Sequence, residues 1–190
     1  MSSYGFRERI LEITEDGTAL TGSTSQTSIL PSAKKTAALP IGYFDRVGKI
    51  IAFEFSGRIS TVVTTPGTLA LALRLGSVDV FASGLMTLNT VAKTDVHWKL
   101  SGELVCRAYG ASTATLLFPK GCQFASHAVI GAAAPTAGGA GVHMLPYNAA
   151  PANGSGFDNG ASQLIDLLAT WSISNANSIQ VQAGHIDLYS

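Results

Sequence analysis

The sequence predicts an all-β protein, an antiparallel sandwich of two sheets closed as a jelly roll of about eight strands. Apolar and polar residues alternate along several segments, which is the period of a half-buried strand. Turn-forming residues, including many of the twenty glycines, separate these segments at intervals of about 10 to 15 residues. Because the pattern lacks convincing βαβ units, antiparallel sheets are expected.

The composition favours a structural or binding protein. Apolar residues make up 46% of the chain and charged residues 13%, about half the usual charged share, which excludes a disordered chain. Twelve basic residues balance twelve acidic ones, so no net charge attracts nucleic acid or an anionic membrane. The polar N-terminus and the lack of an apolar run of roughly 18 residues predict a soluble protein made in a cytoplasm.

Residues 1–40 are expected to form an N-terminal segment that includes an extended arm. Residues 6–14 mix apolar and charged side chains, a pattern that fits either a short amphipathic helix or a strand. Residues 21–40 contain few large apolar side chains, so little burial is available to offset the entropy of ordering them. We therefore predict an arm that contacts another protein or another copy; a disordered leader is the alternative.

The sandwich body is predicted to span residues 41–190, with its central strands in the first half. Residues 51–55 alternate with period two until Gly57 interrupts the run. Residues 69–75 place leucine at every second position, and this strict alternation favours a strand although leucine and alanine favour helices. Residues 96–107 form the clearest half-buried strand, with Trp98 on its inward face.

The second half of the body contains a long loop between shorter strands. Strands are expected over 113–118 and 121–130, separated by Pro119. Residues 131–160 are rich in alanine, glycine and proline, and we expect an ordered surface excursion that a neighbouring subunit holds. Strands over 165–173 and 179–188 close the fold, with a β-bulge at Gly184 where the inward parity changes.

The sequence assigns no catalytic residue, and the protein is predicted not to be an enzyme. A nucleophile elbow, a P-loop and an H-E-x-x-H motif are all missing. Two histidine–carboxylate pairs, Asp95 with His97 and His185 with Asp187, have the spacing that places both members on one strand face. Because a hydrolase also needs a nucleophile beside such a pair, we interpret both pairs as polar residues on solvent-exposed strand faces.

No cofactor or metal site is assigned either. Cys106 and Cys122 are too few for a disulfide framework and lack zinc-ligand spacing, so they are interpreted as small buried residues. The sequence Asp158-Asn159-Gly160 lacks the ligand spacing of an EF-hand, and an irregular calcium site there stays open as an alternative. The same holds for metal binding by the histidines, which occur at positions 97, 127, 143 and 185.

Carbohydrate binding is a further alternative, because jelly rolls include lectin domains. Sugar-binding surfaces use exposed aromatic rings, but Trp98 and Trp171 both have the inward parity of their strands. The remaining candidate platforms are scattered tyrosines that define no groove, at positions 4, 43, 109, 147 and 189.

A set of short motifs resembles a family of tailed-bacteriophage virion structural proteins, and the resemblance spans roughly residues 41–190. The motifs are TTPGTL at 64–69, LRLGS at 73–77, LNTVAKT at 88–94 with Trp98, LVCRA at 104–108, GFD at 156–158, LIDL at 164–167 and WSI at 171–173. None of them is catalytic, so no active residue is implied.

The resemblance implies a non-enzymatic virion protein, located in the virion after synthesis in the host. A capsid decoration or head-spike protein is the first expectation; a tail or baseplate host-recognition protein and a carbohydrate-binding module are the alternatives. The expected partners are further copies in a closed homo-oligomer, with a trimer preferred by analogy, and other virion proteins such as the major capsid protein. A cell-surface glycan is the alternative partner.

Overall fold

The computed structural model describes residues 6–131 and 141–190 of the chain. Within these residues the strands are, in chain order, β1 (Arg7–Ile13), β2 (Leu20–Thr21), β3 (Thr27–Ser28), β4 (Ala38–Leu39), β5 (Ile50–Thr61), β6 (Thr68–Leu75), β7 (Val78–Ala82), β8 (Met86–Thr87), β9 (Lys93–Ala108), β10 (Leu116–Ser126), β11 (Val142–Met144), β12 (Gln163–Trp171) and β13 (Ser178–Tyr189). A short 3-10 turn, Ser32–Lys34, lies between β3 and β4.

Two antiparallel sheets form a sandwich, which confirms the predicted fold class. The first sheet has the order β1-β13-β5-β9-β10-β11, with β2 also paired to β13. The second has the order β3-β12-β6-β7, with β4 also paired to β12 and β8 to β6. Eight strands form the jelly roll, namely β1, β3, β5, β6, β7, β9, β12 and β13. In this set the first strand pairs with the eighth, the eighth with the third and the third with the sixth, which is the pairing of a jelly roll. Strands β10 and β11 extend the first sheet beyond this set.

The core lies between the sheets and is closed by aromatic side chains. Trp98 on β9 and Trp171 on β12 are both fully buried, as their strand parity predicts. The Trp98 ring stacks on Phe124 with centroids 6.0 Å apart, and its indole nitrogen donates to the carbonyl oxygens of Arg58 and Gln180 at 3.1 Å. The indole N–H groups therefore have acceptors, so the two tryptophans add apolar area to the core without an unpaired donor.

The N-terminal segment packs along the sandwich, which corrects the predicted free arm and the boundary at position 41. Strand β1 pairs with β13 over most of its length, which resolves the choice between helix and strand. Strands β3 and β4 pair with β12 in the second sheet, so the chain between them crosses one edge of the sandwich. Five of the apolar side chains in this segment are buried, whereas Phe6 is 62% exposed; the buried ones are Leu11, Ile13, Ile29, Leu30 and Leu39.

Three strands differ locally from their predicted bounds. Strand β5 continues through Gly57, where a side chain would collide with the carbonyl oxygen of Gln180 on β13. Strand β10 includes Pro119, so the two segments predicted around it form one strand with an irregular register between Lys120 and Gln123. The bulge predicted at Gly184 is present slightly earlier, between Val181 and Ala183.

The described part of the long loop packs against the sandwich. Strand β11 pairs with β10, and Leu145 and Phe157 are buried. The backbone of Gly154 donates to the Leu117 carbonyl at 2.9 Å and passes close to Val80 at the edge of the second sheet. The remainder of the predicted surface excursion, residues 132–140, lies outside the described residues.

Candidate functional site

The outer face of the first sheet carries a charged depression that five strands build together. Strand alternation turns Ala52 and Glu54 of β5 outward, with Ser101 and Glu103 of β9 beside them. The bulge in β13 shifts its parity, so that Asp187 faces outward instead of inward. The sheet register thus brings together residues that are far apart in the sequence.

The depression forms because small residues lie between large ones. In one cross-strand row, Ala52 stands between Asp187 on β13 and Glu103 on β9. Ala52 has a small side chain and Gly121 has none, so the surface dips at Ala52 between the larger side chains of Asp187 and Glu103. This Ala52 depression has a volume of about 380 Å³ and is lined by Arg7, Ala52, Phe53, Glu54, Ser101, Gly102, Glu103, Lys120, Gly121, His185, Asp187 and Tyr189.

One wall is organised around Asp187, whose side chain is only 1% exposed. Arg7 Nη2 lies 2.5 Å from one carboxylate oxygen and Arg9 Nε lies 3.0 Å from the other, while His185 Nε2 lies 3.4 Å away. Burial acts to raise the pKa of Asp187, but the hydrogen bonds from Arg9 and Arg7 outweigh burial and hold the pKa below its usual value. Asp187 is therefore a fixed anion that ties β1 to β13.

The other wall consists of paired charges on β9 and β10. Lys120 Nζ lies 2.8 Å from Glu103, and Gln123 donates to the Ser101 hydroxyl at 3.3 Å. At one end of the depression, Glu54 pairs with Lys99 at 2.6 Å. Each carboxylate of the depression thus has a basic partner, so the surface is polar and locally neutral.

The two predicted histidine–carboxylate pairs behave differently. His185 and Asp187 do contact each other, as strand spacing suggests. Asp95 instead has a backbone φ of 49° at the start of β9, and its carboxylate lies 3.4 Å from the Ser60 hydroxyl and 4.0 Å from Arg58. The left-handed conformation breaks the alternation on which the Asp95–His97 pairing depended.

The depression does not arrange a nucleophile beside its histidine. Ser101 lines the same depression as His185, but Glu54 stands between them in the sheet register. The two residues are two strands apart, roughly 9.6 Å between backbones, whereas a nucleophile and its base need about 2.6–3.2 Å between heavy atoms. A Ser–His–Asp arrangement therefore does not form from these three residues.

The other predicted candidates lie elsewhere. His97 and His127 flank a second depression on the same face, the Ala125 depression, with a volume of about 380 Å³. His143 on β11 packs its ring edge-on against Tyr147 at 5.9 Å. Among residues 6–131 and 141–190, no group of three or more His, Cys, Asp or Glu side chains is placed to hold a metal ion.

The Asp158–Asn159 loop uses its polar atoms for structure. The buried Asn159 side chain donates to the Phe44 carbonyl at 2.8 Å and accepts from the Phe44 backbone nitrogen at 3.1 Å. Asp158 accepts from the Gly160 backbone nitrogen at 2.7 Å. These bonds fix the loop to residues 42–44.

Both cysteines are free and buried, as predicted. Burial raises the pKa of the Cys122 thiol to about 11 and also raises that of Cys106. Because the thiolate is the reactive form, neither cysteine is set up for nucleophilic chemistry.

Of the four candidate tyrosines that the structure describes, Tyr189 alone lines the Ala52 depression. The Arg7 guanidinium lies 5.7 Å from the Tyr189 ring centroid. Tyr109 is half exposed elsewhere, and Tyr43 is partly buried with its hydroxyl donating to Ile50 and Tyr189. Tyr4 lies outside the described residues.

Comparison with known proteins leaves the fold as the firm result. No protein-family model and no curated protein matches the chain. Among solved structures, the chain is similar to the CBM2 module of the evolved Dit of Lactobacillus casei BL23 phage J-1, with 11% identity, a TM-score of 0.31 and 97% of each chain covered. Agreement at this level establishes no shared function. None of the described residues forms a helix of the length and apolar character needed to cross a membrane.

Proposed function

We propose that this chain is a non-enzymatic virion protein of a tailed bacteriophage whose jelly-roll body acts by binding. The virion assignment is supported by the resemblance of the sequence motifs over residues 41–190. Those motifs include Trp98, Trp171 and Cys106, which are fully buried, and Pro66-Gly67, which precedes β6. The resemblance therefore includes buried residues and a turn of the sandwich, and proteins that share a fold share such residues.

The non-enzymatic proposal is supported by the way the charged groups are used. The lowered pKa of Asp187 opposes a role as a general acid, because that role needs a carboxyl that stays protonated near neutral pH. Ser101 lies too far from His185 to be activated by it. The side chains of the Ala52 depression hold one another in place, which suits recognition of a ligand better than turnover.

Within this class, one observation favours carbohydrate recognition by a tail or baseplate protein: the Ala52 depression itself. A decoration protein needs a surface that fits the capsid, whereas this depression is a concave, polar site with an aromatic ring at its margin. Concave sites with a few convergent polar groups are the usual form of small-ligand sites. Sugar rings present hydroxyl groups that such donors and acceptors bind.

Capsid decoration is the other candidate, with partners proposed to be the major capsid protein and further copies of this chain. Cryo-electron microscopy of the intact particle distinguishes the two candidates, because it places the protein on the head or on the tail. A head location supports decoration, and a tail-tip location supports host recognition. Absence of the protein from purified particles would overturn the virion proposal as a whole.

A further inference from the structure

We infer that the Ala52 depression binds a single neutral sugar unit at the end of a glycan chain. This inference rests on the carbohydrate-binding candidate proposed above and adds the class of ligand and its mode of entry.

The pairing of charges favours a neutral ligand. Arg7 and Lys120, the two basic groups that line the depression, already contact Asp187 and Glu103. Glu54 is held by Lys99 at 2.6 Å. A carboxylate or phosphate on the ligand would have to break one of these pairs and approach the remaining acid, which costs free energy from like-charge repulsion. A hydroxyl group has no such conflict, because it donates to a carboxylate oxygen while accepting from a neighbouring N–H group.

The layout of the depression matches the two surfaces of a sugar ring. The methyl group of Ala52 forms the apolar centre of its floor, and its margin is polar at Ser101 and His185. A pyranose ring presents C–H groups on its faces and hydroxyls around its rim. A ring lying on the floor would bury C–H groups against Ala52 and direct hydroxyls toward the margin, so both kinds of surface find partners.

The ends of the depression limit the ligand to one unit. Along β5, the outward positions on either side of Ala52 are Ile50 and Glu54, roughly 14 Å apart at about 3.4 Å per residue. Both are larger than alanine, and Lys99, which stands on β9 opposite Ser56, holds the Glu54 carboxylate at its end of the depression. A glycan chain therefore cannot run along the strand through the depression. It has to leave toward solvent, which is the geometry of a terminal unit.

The test uses the full chain and immobilised oligosaccharides that end in neutral units (glucose, galactose, N-acetylglucosamine) or acidic units (glucuronic acid, sialic acid). The blocking variant is Ala52→Trp, which fills the depression from an outward position without removing any polar group. The matched control is Ala125→Trp, an equally half-buried alanine on the same face that lines the second depression. Thermal unfolding of both variants checks that they fold.

The inference predicts binding to one or more neutral-ended glycans that changes little between low and high salt. It also predicts that Ala52→Trp weakens this binding by at least about ten-fold while Ala125→Trp leaves it unchanged. Binding to acidic ends alone, lost in Ala52→Trp, would overturn the neutral assignment and leave carbohydrate recognition standing. Loss in Ala125→Trp only would overturn the location. Binding to none of the glycans would overturn both the inference and the carbohydrate candidate, while the virion proposal would still be decided by microscopy.

Discussion

At the scale of single residues, Trp98 is one of the two largest side chains in the core. Its side chain is fully buried, stacks on Phe124 and donates to two carbonyl oxygens at 3.1 Å. Trp98→Ala should lower the free energy of unfolding by about 3–5 kcal/mol, the usual cost of truncating a large buried aromatic. Urea denaturation measures this change. Trp98→Phe keeps much of the volume and should cost less; an unchanged midpoint for Trp98→Ala would contradict the core assignment.

Asp187 leads to a prediction about acid stability. The pKa of Asp187 is lower in the folded protein than in the unfolded chain, where it is near 3.9. The ionised carboxylate therefore stabilises the fold at pH values above about 3.9, and this stabilisation is lost as the pH falls through the folded-state pKa. Asp187→Asn should therefore lower the Tm at pH 7, because Arg7 and Arg9 lose their carboxylate. The Tm difference between wild type and variant should shrink below about pH 4. The exposed Asp16→Asn is the control, and a Tm difference that does not depend on pH would contradict the proposed role of the Arg pairs.

The histidines test the proposal that the protein is not an enzyme. His97→Ala and His185→Ala should leave the far-ultraviolet circular dichroism spectrum unchanged, because both side chains lie on the outer face of the first sheet. The wild type should hydrolyse no member of a panel of glycans and esters, because Ser101 and His185 are separated by Glu54. Hydrolysis by the wild type that disappears in either variant would show that a catalytic site exists.

At the scale of the strand, the alternation of side chains made much of the fold predictable. The leucine-rich segment of β6 has good helix propensity, yet its period of two and its bounding turns identified it as a strand. Strand β9 was recognisable for the same reason, since one of its faces is exposed to solvent and the other, which contains Trp98, is buried. Local periodicity is sufficient where a strand has a buried and an exposed face.

The N-terminal strands were not predictable, because their stability comes from distant partners. Strand β1 begins with alternating charges, and it is held by β13 at the opposite end of the chain. Arg7 and Arg9 pair with the buried Asp187, which lies near the other end of the sequence. The Ala52 depression was missed for a related reason: its residues meet only through the register of five strands, and no local motif records that register.

Removing the N-terminal segment should therefore unfold the body. A chain that begins at Ile41 lacks β1 to β4 and the five buried apolar residues of that segment. Loss of each such side chain costs about 2–5 kcal/mol, and the sum, about 10–25 kcal/mol, is as large as or larger than the roughly 5–15 kcal/mol by which domains are stable. The truncated chain should aggregate or show no cooperative thermal transition. Deletion of residues 1–5 is the control and should leave the Tm unchanged. A folded truncated body would show that the segment is a separable arm.

At the scale of the whole molecule, the two edges of the first sheet differ in a way that bears on assembly. The β1 edge carries charged, exposed side chains at Arg7, Glu8 and Glu12, which oppose pairing with another strand. Strand β11 at the other edge consists of Val142, His143 and Met144 and contains no Asp, Glu, Lys or Arg. The side chains of Val142 and Met144 are 52% and 64% exposed. The chain is also neutral overall, so little repulsion keeps copies apart.

We therefore expect the chain to form a closed homo-oligomer through the β11 edge. Closed symmetry buries such an edge without open-ended growth, and a charge placed there should prevent pairing. Val142→Lys should shift the protein toward the monomer in sedimentation velocity, with a Tm close to that of the isolated wild-type subunit. Val63→Lys, at a similarly exposed valine in the loop after β5, should leave the oligomer intact. If Val63→Lys dissociates the oligomer and Val142→Lys does not, copies meet at the loop end of the sandwich, and the apolar character of β11 serves another contact.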